Sequence, residues 1–350
     1  MLPNDPWLDQ VREAALEPGL PVIDAHHHLW SIELAVPKRT YGYMPADFLA
    51  DIASGHRIVA TVFIEARAAR PEHLPEHLRP VAETEWLIAA TPEPDGKSSA
   101  TAVAAGIVAF ADLNHPAAED ILQGHLGAAA GRLRGIRQSS THNDDPAVVG
   151  GHPQSPPHRL LDPAFRRGFA RLAPLGLSYD AWLYQPQLPE LIDLARAFPG
   201  TAIIVDHLGA PLAAGRYAGR REEGFTEWRQ QLDELARCPN VFMKLGGSAM
   251  HMFGFGWEKR PLPPSSDELA AATAHFYHAA IDAFSPARCM FESNFPVDRE
   301  RCSYGVLWNS FKKIAARYSA GEKLDLFCNT AARVYRLPQF VQATPAKEQP

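Results

Sequence analysis

The sequence predicts an α/β protein, a single (β/α)8 barrel of the TIM type, on three observations. Eight short apolar runs have strand length, helical segments lie between successive runs, and nearly every run closes on a polar or charged residue. Alternating strands and helices are the mark of parallel βα units, and eight such units close a cylinder. A doubly wound open sheet is the competing arrangement. It calls for a glycine-rich phosphate turn after an early strand, and neither GxGxxG nor GxxxxGK[ST] occurs. One domain then accounts for residues 1–350, with its core at about 21–337 between a flexible N-terminal segment and a loose tail from Pro338.

The first run, PVIDAHHHLW, begins with Pro21, Val22 and Ile23 and ends on an aspartate and three histidines. A period of two puts Asp24, His26 and His28 on one face and turns His27 the other way. Two imidazoles so spaced can share an ion at about 2.0–2.1 Å from each nitrogen, or can polarise a carbonyl without one. A hydrogen-bonded structural role is the plainer reading for any one of the 15 histidines; the cluster at a strand end makes this triplet a site candidate.

Residues 31–43 have no periodicity and read as a long loop over the strand end, followed by an amphipathic helix at 45–55. The second strand, 58–65, finishes in Glu65, and helical spacing resumes at 76–90. The third strand is 102–110, with a helix at 115–131, and the fourth, 133–138, carries Arg137. Residues 142–163, rich in Pro, His, Gly and Asp, are too long for an ordinary connection and read as a second loop over the site. Asp162 as N-cap and Pro163 at the first helical position open a helix over 162–174. The fifth strand, 177–183, brings Trp182 and Tyr184; a helix at 188–198 leads to the sixth, 202–207, which closes on Asp206-His207. A helix at 225–237 precedes the seventh strand, 241–245, which carries Lys244 and stops at Gly246-Gly247. After a Gly/Pro-rich loop and a helix at 267–284, the eighth strand, 288–294, brings Glu292 and Asn294, with Asp298 just beyond; helices at 303–319 and 321–336 complete the chain.

Composition narrows the partners. With 46% hydrophobic and 21% charged residues the chain has ample material for a core, and its net charge of −6, without any Lys/Arg run, gives no footprint for nucleic acid. No stretch of 18 apolar residues suggests a membrane span, and the N-terminus lacks the apolar core of a signal peptide. Four scattered cysteines form no CxxC pair, so neither a thiolate metal site nor a disulfide framework is expected. The expectation is a cytoplasmic protein whose partner is a small-molecule substrate; a homo-oligomer is compatible with the sequence.

In a closed barrel the C-terminal strand ends converge, so His26, His28, Glu65, Arg137, Trp182, Tyr184, His207, Lys244, Glu292, Asn294 and Asp298 should share one site. For any one of them a solvated or capping role is the default; the set together is harder to dismiss. His26, His28, His207, Glu292, Asn294 and Asp298 are the expected catalytic residues, and the three histidines the expected ligands if a metal is present. Glu65, Arg137, Trp182, Tyr184 and Lys244 are expected to bind substrate, Arg137 by a bidentate fork on a carboxylate and the aromatics as walls.

Asp24-Ala25-His26-His27-His28, Arg134-Gly135-Ile136-Arg137, Asp206-His207-Leu208-Gly209, Lys244-Leu245-Gly246-Gly247, Glu292-Ser293-Asn294-Phe295-Pro296 and Asn329-Thr330-Ala331 fall in that order. Together they resemble the amidohydrolase superfamily, in its amidohydrolase 2 branch of sugar lactonases, pyrone-dicarboxylate and sulfomuconolactone hydrolases and related decarboxylases. The resemblance implies an amidohydrolase-like barrel whose histidines bind a divalent metal, usually zinc, or polarise the substrate carbonyl directly. It also marks a departure. The branch usually has Gly-Ser-Asp-(Trp/Phe)-Pro at the last strand, its Asp serving as ligand and base, whereas here Glu292 replaces the Gly and Asn294 the Asp. A neutral amide cannot take a proton from water and is a poor zinc ligand. Zinc is therefore expected to be weakly bound or absent, with Glu65, Glu292 or Asp298 as the base. The function expected is hydrolysis of a lactone or similar cyclic ester of a small carboxylated or aromatic compound. Decarboxylation of an aromatic acid is the enzymatic alternative, and a catalytically degenerate barrel that only binds is the alternative of another class.

Overall fold

The computed structural model describes residue 2 and residues 4–35, 39–92, 101–149 and 154–343. Residues 36–38 and 150–153 of two long loops, and the tail from 344, lie outside the described residues. The strands run β1 (Pro21–His27), β2 (Arg57–Ile64), β3 (Ala102–Ala109), β4 (Leu133–Arg137), β5 (Ser178–Ala181), β6 (Ile203–Val205), β7 (Val241–Leu245) and β8 (Cys289–Phe291). Each pairs in parallel with the next, in sequence order, as the (β/α)8 reading requires. Just past β8 the ring returns to β1: Phe295 bridges His27, the His28 N–H donates to the Phe295 carbonyl at 2.7 Å, and the Asn294 N–H donates to the His26 carbonyl at 2.9 Å.

Two apolar layers follow from the strand alternation. Inward residues such as Ile23, Ala25, Val62, Ile64, Val108, Ile204 and Met290 fill the cylinder, while Val22, Phe63, Tyr179, Val205 and Phe291 face the surrounding helices. The cylinder's N-terminal end is stopped by Cys328, Ala331, Tyr335 and Leu337 of the last helical stretch, where a π-turn at Asp325–Asn329 interrupts the helix predicted over 321–336. The single helix expected at 76–90 is instead a 3-10 turn at Glu76–Leu78 and a helix at Val81–Ala90, because Pro80 lacks the N–H that would join them.

Two expectations are corrected. The N-terminal segment is not loose: Arg299 holds Asn4 and Asp5, Asn309 bonds Glu13 and Ala14, and the Lys312 ammonium donates to the carbonyls of Leu16 (2.7 Å) and Glu17 (2.9 Å). And Asp24 does not share a face with His26. The β1–β2 register jumps between Asp24 and His27, an extra residue that resets the period of two. Asp24 points out of the barrel, accepting from Ser293 Oγ at 2.6 Å and Tyr304 Oη at 3.0 Å. His27 is outward too, stacked on Phe48 at 4.1 Å.

Candidate active site

The bulge turns His26 inward beside His28, and their Nε2 atoms come within 3.1 Å. His28 Nδ1 lies 2.8 Å from the Ile64 carbonyl, which can only accept, so this nitrogen carries the proton and Nε2 presents its lone pair. Burial keeps His28 well below its ordinary pKa and brings His26 down to about 4, so both rings are neutral at pH 7. His207 completes the cluster, its ring centroid 4.6 Å from that of His26. Glu292 ties the three-ring group together, with Oε1 at 2.6 Å from His207 Nδ1 and Oε2 at 2.9 Å from His26 Nδ1. Burial opposes its ionisation, but the facing imidazoles of His207 and His26 hold its carboxyl well below the usual range.

His207 does not arrive by strand alternation, as the sequence suggested; Asp206 occupies that inward position after Ile204. Instead the chain turns left-handed for four residues, His207 (φ 54°), Leu208 (61°), Gly209 (66°) and Ala210 (44°). Non-glycine residues held there cost about 1–3 kcal/mol each, strain that concentrates at functional sites. Trp228 Nε1 secures the turn by donating to the Leu208 carbonyl at 2.8 Å. The Gly246-Gly247 pair after β7 makes room for it. A Cβ at Gly246 would lie 2.3 Å from Glu292 Cγ, and one at Gly247 (φ 65°) 2.5 Å from His207 Nδ1. Gly247→Ala is expected to push His207 off Glu292 and lower kcat by about 10²-fold, the scale set by an ångström of misplacement, with the barrel still folded. Steady-state kinetics and circular dichroism on the variant check this; unaltered kcat would mean that the position of His207 is immaterial.

Beneath the histidines lies a buried ion-pair network that the sequence reading largely missed. Lys244 Nζ is 2.6 Å from Asp180, 3.0 Å from Asp206 and 3.2 Å from His26 Nδ1, and Tyr335 Oη donates to Asp180 at 2.7 Å. Asp180 and Asp206 stand at inward positions, two residues before Trp182 and two after Ile204, but neither is the residue that closes its run. Burial raises the Asp180 carboxyl to about 6 against the pull of Lys244. Asp206 is buried as deeply, yet Lys244, His26 and Arg137 hold it well below its ordinary range. Burial disfavours the Lys244 cation, but Asp180, Asp206 and Glu292 outweigh it and raise its pKa.

Arg137 enters the same basin, its Nη1 3.4 Å from His26 Nε2, but its fork is engaged by protein. Nε and Nη2 meet Glu65 Oε1 at 3.1 and 3.0 Å, Nη2 donates to the Glu65 carbonyl at 2.8 Å, and Nη1 lies 3.3 Å from Asp206. Trp182 stands at the wall, 4.9 Å from the His207 ring, with Tyr184 behind it at 5.7 Å. Asn294 Nδ2 donates to Asp298 Oδ1 at 3.0 Å, and Asp298 Oδ2 is buried with no hydrogen-bond donor among the described residues. Burial pushes the Asp298 carboxyl up to about 7 despite Arg301 and His207. The structure thus gathers His26, His28, His207, Glu65, Arg137, Trp182, Lys244, Glu292, Asn294 and Asp298 at one end of the barrel and sets Tyr184 one ring further out.

The donors suit a divalent cation. The two Nε2 atoms at 3.1 Å are compatible with zinc–nitrogen bonds of about 2.0–2.1 Å, and the Ile64 carbonyl and Glu292 are the outer partners that orient such ligands. His26, Asp206 and His207 each place a ligand atom within 4.8 Å of the others. Charge agrees: four carboxylates (Glu65, Asp180, Asp206, Glu292) against two cations (Arg137, Lys244) leave the basin two negative charges in excess.

A family model described as amidohydrolase matches residues 23–337. The uncharacterized protein y4mH of Sinorhizobium fredii is 33% identical over 332 residues, covering 90% of this chain and 98% of its own. The L-fucono-1,5-lactonase of Burkholderia multivorans is 28% identical over 329 residues, covering 92% of this chain and 98% of its own. A crystal structure of an amidohydrolase from Burkholderia multivorans with bound zinc superposes with a TM-score of 0.68 at 25% identity, over 90% of this chain and 99% of that one.

Proposed function

The chain belongs to the amidohydrolase family, and on that premise we propose that it hydrolyses a lactone or similar cyclic ester of a small carboxylated or aromatic compound. One observation carries the reading: His26, His28 and His207 converge at the barrel mouth, their far sides fixed by Glu292 and Ile64, beside the Asp298 carboxyl, which burial pushes up to about 7. The similarity to an L-fucono-1,5-lactonase supports a lactone over other esters.

The chain's own groups have distinct parts to play. Glu292 is a poor base because its imidazole partners keep it ionised, and Glu65 is engaged by Arg137. Asp298 has the suitable pKa and an oxygen without a donor among the described residues, so it takes the proton from the attacking water. Water oxygen adds to the ester carbonyl carbon, and negative charge develops on the carbonyl oxygen facing Arg137 Nη1, the cationic donor of the basin. The ring C–O bond then breaks, and the proton held on Asp298 passes to the departing alkoxide to give a hydroxy acid. A zinc ion held by His26 and His28, with Asp206 or His207 as the further donor, would add Lewis-acid polarisation of that carbonyl when bound.

A panel of sugar and pyrone lactones followed by pH-indicator assay, with products identified by mass spectrometry, tests the proposal. Ring-opened acid formed above the uncatalysed rate is the expected result. Carbon dioxide released from aromatic acids, with no lactone opened, would replace hydrolysis by decarboxylation, and no turnover of either class would leave a binding protein.

Metal content is a separate prediction. Asn294 offers no charge, and Asp206 is already engaged by Lys244 and Arg137, so zinc should be held loosely. Protein purified without chelator is expected to lose zinc on dialysis, while Asn294→Asp retains close to one equivalent, as read by atomic emission. Stoichiometric zinc surviving dialysis in the wild type would show that the present donors suffice.

A further inference from the structure

Among the described residues, three arginines at the mouth of the barrel have no carboxylate partner, unlike the other cations there. Arg137 is paired with Glu65 and Asp206, Arg299 with Asp5 and Asp51, and Arg301 with Glu300. Arg39, in the loop after β1, reaches across to the loop after β2: its Nη2 donates to the Ala66 carbonyl at 3.0 Å and its guanidinium carbon lies 4.5 Å over the Trp30 ring. Arg70, midway along that second loop, stacks 4.6 Å over Phe110. Arg67 lies between them in the chain, close enough for its charge to act on both. The nearby carboxylates are already engaged, Glu65 by Arg137 and Glu83 by the N–H groups of Ala66 and Ala68 at 2.8 Å each.

Arg39 Nε, Arg70 Nε and Arg70 Nη2 are buried with no acceptor among the described residues. A buried donor left unmet costs about 1–3 kcal/mol, more when charged, so either guanidinium would gain from an added acceptor. Arg39 also lines, with Trp30, Tyr41, His251 and Arg301, a cavity of about 310 Å³, within the size range of small-ligand sites. The cavity is walled by the loops after β1, β7 and β8, the first and last of which lead directly from His28 and Asp298. Burial lowers the pKa of both Arg39 and Arg70, as expected of guanidiniums taken from water with incomplete compensation.

We infer that Arg39, aided by the charge of Arg67 and Arg70, holds a carboxylate of the substrate at the mouth, so that the lactone taken carries an ionised carboxylate besides its ring ester. Trp30 and Tyr41 wall the carbon skeleton, and planar guanidinium geometry suits a carboxylate. The identification of the substrate as a lactone rests on the proposed hydrolysis; the capture of an anion does not.

The test is calorimetric titration of the intact protein with D-glucarate and D-gluconate, a dicarboxylate and a monocarboxylate of equal chain length. Glucarate is expected to bind about tenfold or more tightly, the worth of a charged hydrogen-bonded pair. Arg39→Met should bring that preference to near unity, Arg39→Lys should restore part of it, and Arg70→Met should reduce it; circular dichroism establishes that each variant folds. Equal affinities in the wild type, a preference undiminished in Arg39→Met, or no binding of either acid would overturn the inference. Opening of D-glucaro-1,4-lactone and L-fucono-1,5-lactone with equal KM would overturn it while leaving lactone hydrolysis standing. A glucarate preference that depends on Arg39, in a protein that opens no lactone, would support it and remove the hydrolysis instead.

Discussion

Asp298→Asn is expected to lower kcat on the hydrolysed lactone by about 10²–10⁴-fold, the usual contribution of a positioned proton acceptor. It should also flatten the pH profile. Burial holds the wild-type carboxyl at about 7, so below that pH it is protonated and cannot accept, and kcat/KM should rise as pH increases through about 7. The asparagine variant has no such limb, whereas a purely structural role for Asp298 would lower activity without moving the profile. Stability offers an independent readout. The folded carboxyl titrates near 7 and the unfolded one near 3.8, so between those values the folded state holds the extra proton, and the stability it brings is lost as pH rises through about 7. Denaturant melts of wild type at pH 5 and pH 8 should therefore differ by more than those of Asp298→Asn. A variant retaining full kcat would transfer the base to Glu65 or to water.

Lys244→Met is expected to destabilise the barrel by about 3–5 kcal/mol, the scale for removing one partner of a buried ion pair. The lysine is wholly buried and lies within 3.0 Å of both Asp180 and Asp206. Methionine fills much of its volume, so the loss reports uncompensated charge rather than a cavity. Asp180 is already raised to about 6 and would protonate most readily once the ammonium is gone. Lys244→Met is thus expected to regain stability as pH falls towards 5, and Asp180→Asn should restore part of the loss in the same background. Urea denaturation across that pH range gives both quantities. A deficit under about 1 kcal/mol would show that the network contributes little net stability, as buried pairs sometimes do. Lys244, assigned to substrate on sequence grounds, sits below the imidazoles in the structure, and its measured effect should fall on stability before KM.

The barrel and its order of elements were legible because both depend on local patterns. Asp162, predicted as an N-cap, accepts from the Ala164 N–H at 2.7 Å with Pro163 at the first helical position, as the residue types alone require. The seventh strand matches its predicted limits at Val241–Leu245, where an apolar run meets two glycines. Asp180 lies on the same alternation that identifies Trp182, but the partner that makes its charge tolerable there, Lys244, comes from a strand 64 residues away, which no local pattern shows.

The sequence by itself determined that eight strands alternate with helices and that His26, His28, Glu65, Arg137, Lys244 and Glu292 lie at or near their C-terminal ends, since a period of two or 3.6 residues is a property of neighbours along the chain. Only the tertiary structure decided which of these groups meet. Arg137 engages Glu65 72 residues away, and His207 meets Glu292 across 85 residues, because closing the cylinder brings those strands together. The same closure buries Lys244 between two aspartates and leaves Arg39 and Arg70 with donors the described protein residues do not satisfy. The bulge that turns Asp24 outward and the left-handed turn that swings His207 inward are backbone departures from the strand period, set by packing against Ser293, Tyr304 and Trp228. No local periodicity encodes them, because the contacts that hold them come from distant parts of the chain.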